Sequence, residues 1–105
     1  MKFTLFSSSG SHALVQSVAQ RIAVRYPPVV ANNPERTVSQ TRIEEILMDT
    51  FAGALQHHRK SRVGFLARAR LRSAFRLELL EIGYEERFVD FAAGKFIQQL
   101  TRGIP

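Results

Sequence analysis

Residues 61–83 read SRVGFLARARLRSAFRLELLEIG, and their pattern predicts a helix at the centre of the fold, here called predicted helix 3. Ser61 is a good N-cap and Gly83 suits the position just after a helix, so the helix runs to about Ile82. Its apolar residues form two stripes. One stripe is Leu66, Ala69, Leu77 and Leu80, and the other is Leu71, Ala74, Phe75 and Ile82. Apolar residues on two sides are typical of a helix between two partners.

The preceding segment predicts an amphipathic helix from Val38 to about His58, called predicted helix 2. Residues 37–40 fit a capping box, in which the Thr37 and Gln40 side chains satisfy free amides at the helix start. The apolar stripe of this helix is Ile43, Ile46, Leu47, Thr50, Phe51, Ala54, Leu55 and His58. Very few residues separate predicted helices 2 and 3, so we expect them to be antiparallel neighbours.

A pairing centred near residue 60 matches both apolar and charged side chains of these two helices. The expected pairs are Leu47 with Phe75, Ile43 with Leu79, Asp49 with Arg72 and Glu45 with Arg76.

Predicted helix 1 covers about His12 to Tyr26, with Ser11 as its N-cap. Its inward residues are Leu14, Val15, Val18, Ala19, Ile22 and Tyr26, at three- and four-residue steps. Pro27 and Pro28 end the helix because neither can donate a backbone hydrogen bond. Residues 27–36 hold three of the four prolines and predict a connector.

Predicted helix 4 begins near Glu85 and Glu86, whose charge suits the positive end of a helix, and reaches about Leu100. Its inward residues are Phe88, Val89, Ala92, Ala93, Phe96, Ile97 and Leu100. Residues 101–105 predict a frayed tail. At the other end, residues 1–10 predict an extended segment, in which Lys2 to Phe6 form either a short strand or a loose tail.

These elements predict an all-α fold, with one domain over residues 1–105 built as an irregular bundle of four helices. The chain has 105 residues, 45% of them hydrophobic, which suffices for one core. It has no cysteine, which excludes disulfides, a thiol nucleophile and thiolate zinc sites. No apolar run is long enough for a signal peptide or a spanning helix, so we expect a cytoplasmic protein without a membrane partner.

The positive charge is concentrated in one window. Seven basic residues and no acidic ones lie between His57 and Arg76, and the rest of the chain is close to neutral, although the whole carries +6. Guanidinium groups match phosphate oxygens, so the window predicts an anion or nucleic-acid site. Its candidate residues are Arg59, Lys60, Ser61, Arg62, Arg68, Arg72 and Arg76. The alternative is that these arginines pair with Glu44, Glu45 and Asp49, or with acids of predicted helix 4.

Motifs for catalysis and cofactors are absent from the sequence. The segment Ser7–Ser11 before predicted helix 1 has the layout of a phosphate-cradling turn, which leaves a phosphate-handling enzyme as a third hypothesis. It lacks the Walker lysine and the Gly-x-Gly spacing. His57 and His58 do not share a helix face and form no metal pair. We therefore expect no enzyme, no catalytic residue, no metal and no cofactor.

The function that the sequence favours is an interaction or regulatory module that associates with itself. Apolar residues outside the main inward stripes suggest surface hidden in a homodimer. They are Met48, Phe65, Leu79 and Phe91. Another protein is a second candidate partner, and nucleic acid bound by the basic window is the alternative function.

Overall fold

The computed structural model describes residues 2–35, 38–55 and 65–102, and the side chains of 12–35, 38–54 and 68–101. The predicted all-α class is confirmed. The helices are α1 (Lys2–Arg25), α2 (Pro28–Ala31), α3 (Gln40–Leu55), α4 (Phe65–Ile82) and α5 (Glu86–Arg102). Predicted helices 1 to 4 correspond to α1, α3, α4 and α5. The short α2 interrupts the segment that was predicted to be a connector.

The four long helices form a bundle in which α1 and α5 each pack against both α3 and α4. Consequently α3 and α4 lie on opposite corners, and the predicted side-by-side packing of these two helices is wrong. The predicted charge pairs are replaced as well. Asp49 pairs with Arg25 of α1, Glu45 with Arg42 of its own helix, and Arg76 with Asp90 of α5. Asp49 of α3 and Arg76 of α4 thus each form an ion pair, but their partners lie on α1 and α5 rather than on each other's helix.

The first helix begins earlier than the sequence predicted. The structure continues α1 back to Lys2, so the extended segment over Lys2–Phe6 and the turn over Ser7–Ser11 are both replaced by helix. A lone strand has no partner for its backbone groups, whereas extending an existing helix adds one hydrogen bond per residue. The Ser and Gly residues there oppose helix by only about 1 kcal/mol each at most.

Three phenylalanines meet at the centre of the bundle. Phe51 of α3, Phe75 of α4 and Phe96 of α5 are all fully buried. Their ring centroids are 4.5 Å apart for Phe75 and Phe96, 5.4 Å for Phe51 and Phe96, and 6.1 Å for Phe51 and Phe75. The inward residues of predicted helix 1 are confirmed, because all six are buried: five lie on α1 and Tyr26 follows its end. The three rings therefore join α3, α4 and α5 at the centre of the core, and the buried aliphatic residues of α1 pack into the same cluster.

The second apolar stripe predicted on α4 packs into the core, whereas of the first stripe Leu80 packs against the core and Leu77 and Ala69 do not. Leu71 and Phe75 are buried as predicted, and they are joined by Leu79, which is fully buried although it was placed outside the inward stripes. Leu77 is 62% exposed and Ala69 is also exposed. Leucines at positions 77, 79 and 80 lie on different sides of α4, so the sequence pattern alone did not show which of them faces the core.

Side chains and turns hold the helix ends in place. The backbone N–H of Arg42 donates to Ser39 Oγ at 3.1 Å, so Ser39 caps α3; Thr37, the predicted cap, lies outside the described residues. Gly83 ends α4 with φ of +121°, a conformation that disfavours any residue with a Cβ. Asn32 bridges this turn, since its Nδ2 donates to Gly83 O at 2.8 Å and its Oδ1 accepts from Glu85 N at 3.3 Å.

Tyr84 closes the same end of the bundle. Its ring lies 4.6 Å from the ring of Phe88, and its buried hydroxyl donates to the backbone carbonyl of Tyr26. Burial raises the pKa of the Tyr84 phenol, and the nearby Tyr26 phenol raises it further. Burial also raises the pKa of Tyr26. Both phenols therefore keep their protons in the folded protein at a pH where the unfolded chain loses them.

We expect the free energy of unfolding to fall as the pH rises above about 10, where an unfolded tyrosine ionises. Each retained phenol proton steepens that fall by up to about 1.4 kcal/mol per pH unit. Tyr84→Phe removes the phenol whose pKa is raised most, so the free energy of unfolding should fall less steeply with pH in this variant. At pH 7 the same variant loses about 1–2 kcal/mol, because the Tyr26 carbonyl is left unpaired. Urea unfolding followed by circular dichroism at several pH values tests this, and equal slopes in both proteins would contradict it.

Candidate functional site

The structure describes only part of the predicted basic site. Arg59, Lys60, Ser61 and Arg62 lie outside the described residues. Arg68 and Arg76 are half-buried, and Arg72 is exposed. All three lie on the same helix, α4.

Arg76 joins α4 to α5. Its Nη2 lies 2.8 Å from Asp90 Oδ1, and its Nε donates to the same oxygen at 2.9 Å. The alternative prediction, that an arginine of the window pairs with an acid of predicted helix 4, is therefore confirmed for Arg76. This guanidinium already has a carboxylate partner, so it is a poor candidate for phosphate binding.

The exposed charge of α4 changes sign along the helix. Arg70 and Arg72 are exposed in its first half, and no acidic residue occurs in α4 before Glu78. Glu78 is half-buried and Glu81 is exposed in the second half. Within the part of the chain that the structure describes, none of these four side chains forms an ion pair. One helix thus presents a basic half and an acidic half to solvent.

An open groove of about 620 Å³ lies at the end of the bundle, where the α2 segment meets the starts of α3 and α5. It is lined by Tyr26, Ala31, Asn32, Asn33, Pro34, Val38, Gln40, Ile43, Glu85, Arg87, Phe88 and Phe91. This lining combines aromatic and aliphatic side chains with amide groups and one charge of each sign. Such a surface can accept an apolar side chain and hydrogen-bond the backbone around it.

An ion pair lies beside Phe91 in the groove. The Lys95 ammonium lies 5.5 Å from the centre of the Phe91 ring and also pairs with Glu44 of α3. Sequence reasoning missed this groove, because four separate segments build it. The one available signal was Phe91, which was identified as lying outside the main inward stripe.

The remaining candidates do not form a site. The helix start that would hold a phosphate at Ser11 does not exist, because Ser7–Ser11 lies inside α1. His12 is exposed, and His57 and His58 lie outside the described residues. Among residues 12–35, 38–54 and 68–101, no three His, Asp or Glu side chains gather into a metal-binding group. No described helix combines the length and the apolar character needed to cross a membrane.

Comparison of the chain with protein-family models, with curated proteins and with solved structures found no match.

Proposed function

We propose that the chain is a small non-enzymatic interaction module whose partner is a second copy of itself. The observation that carries this proposal is the outer face of α4. Leu77 is 62% exposed there, beside exposed Ala69 and Ser73. Single exposed leucines are ordinary, but this one lies on a helix whose apolar pattern exceeds what its own bundle covers. A second copy would cover it.

The groove at the end of the bundle supports the broader part of the proposal, which is binding of another protein. Its lining joins aromatic and aliphatic side chains with amide groups, the mixture of residue types that protein interfaces use. A side chain of a partner could fill it without rearrangement of the helices.

Sedimentation equilibrium tests the self-association. We expect the average mass to rise from 11.9 kDa towards twice that value as the concentration increases from about 1 µM to 1 mM, the range of weak protein complexes. A mass of one chain throughout that range would contradict the proposal. Ala69→Glu places a charge on the outer face of α4 and should lower the association, whereas Gln98→Glu on the exposed part of α5 should not.

Nucleic-acid binding is the second candidate function, and the exposed Arg70 and Arg72 favour it. Both lie on the acid-free half of α4, where their guanidinium groups could contact phosphates. Anisotropy of labelled DNA and RNA at low salt tests this candidate. The affinity should fall with salt by a logarithmic slope of about 0.9 for each phosphate contacted in duplex DNA. Arg72→Ala should reduce that slope, and Arg87→Ala at the other end of the bundle should not. No binding at low salt would exclude it.

A further inference from the structure

We infer that two copies of the chain associate through the outer faces of α4, antiparallel, with Arg70 of each copy against Glu81 of the other. This inference rests on the proposed self-association and names the surface and orientation that would produce it. The three features that carry it are a row of apolar and small residues, a charge pattern along α4, and the exposure of both.

The row on α4 is continuous. Ala69, Ser73, Leu77 and Glu81 follow each other at four-residue steps, so they lie on one face of the helix. Arg70 lies seven residues before Leu77 and shares that face. All five residues are exposed, so the bundle leaves the whole row open to solvent. Ala69 and Ser73 are small and allow another helix to approach closely.

The charges select the orientation. A parallel pair would place Arg70 beside Arg70 and Glu81 beside Glu81, which repel. An antiparallel pair with its two-fold axis near residue 75 places Leu77 on Ser73 of the second copy. The same register brings Arg70 next to Glu81 of the second copy, and symmetry produces this ion pair twice. Antiparallel helix dipoles also attract each other.

One helix pair is a small interface. Stable complexes bury about 1,200 Å² or more, and a contact along one face of α4 reaches at most the lower end of that range. We therefore expect a weak dimer that dissociates on dilution. Two exposed ion pairs contribute little each, but reversing one charge converts both attractive contacts into repulsive ones, so the dissociation constant should increase by about tenfold.

Charge exchange tests the orientation by sedimentation equilibrium at low salt. Arg70→Glu and Glu81→Arg should each weaken the dimer about tenfold. The double variant R70E/E81R should recover the original affinity, because the pairs re-form with the charges exchanged. A mixture of the two single variants should also associate at near the original affinity, since both of its contacts pair opposite charges. Arg72→Glu changes the charge of α4 equally but lies off the row, and it is the matched control.

The outcomes separate this inference from the proposed function. A wild-type chain that stays monomeric overturns both. A wild-type dimer that Arg70→Glu and Glu81→Arg do not weaken more than Arg72→Glu leaves self-association standing and overturns the α4 interface. Weakening by both single variants without recovery in the double variant or in the mixture overturns the antiparallel register.

Discussion

Replacing Phe96 with alanine should lower the free energy of unfolding by about 3–5 kcal/mol, the largest loss that we expect from a single substitution here. The ring is fully buried and lies against two other buried rings, at 4.5 Å from Phe75 and 5.4 Å from Phe51. Its removal deletes apolar contacts with two other helices and leaves a cavity that the neighbouring helices can only partly fill. Small domains have about 5–15 kcal/mol of stability in total, so the variant approaches the limit of folding.

Chemical unfolding followed by circular dichroism measures this loss. Phe96→Leu keeps most of the apolar volume and should lose less. Phe91→Ala is the matched control, because it deletes the same side chain from the same helix at a half-buried position in the end groove. Its expected loss is less than half that of Phe96→Ala. Equal losses for the two alanine variants would show that Phe96 is not at the centre of the core.

The sequence predicted the helices well where their apolar residues repeat on one face. The six inward residues of predicted helix 1, from Leu14 to Tyr26, are all buried, and α1 ends just before the two prolines as expected. These features depend on local geometry, namely the 3.6-residue repeat and the missing amide of proline. Local patterns do not depend on which other helix supplies the contact, and this is why they could be read without the fold.

The neighbour relations could not be predicted in the same way. Asp49 could pair with either Arg72 or Arg25, and nothing in the sequence decides between these two partners. The structure pairs it with Arg25, because α1 rather than α4 lies beside α3. The groove could not be predicted for the same reason, since its lining comes together only when the α2 segment meets the starts of α3 and α5. Of the predicted basic site, the arginines of α4 could be placed on one helix, but the pairing of Arg76 with Asp90 depended on α5.

Leu79 and Leu77 lie two residues apart on α4, and their alanine variants should differ strongly in the free energy of unfolding. Leu79 is fully buried and Leu77 is 62% exposed. Leu79→Ala should therefore cost about 2–5 kcal/mol, because it opens a cavity in the core. Leu77→Ala should change the stability of the isolated chain by no more than about 0.5 kcal/mol, since it removes a side chain that already contacts water. The chemical change and the helix propensities are identical, so only the direction of the side chain differs.

Varying the protein concentration distinguishes the contribution of α4 to the core from its contribution to the proposed dimer. At a dilution where the chain is monomeric, urea unfolding should show the full loss for Leu79→Ala and almost none for Leu77→Ala. At high concentration a dimer stabilises the folded chain by mass action, so the wild type should gain stability with concentration. Leu77→Ala should lose that gain while keeping its monomer stability, because Leu77 lies on the outer row of α4. Equal losses for the two variants at dilution would mean that α4 presents a different face to the core, and the antiparallel contact built on its outer row would fail with it.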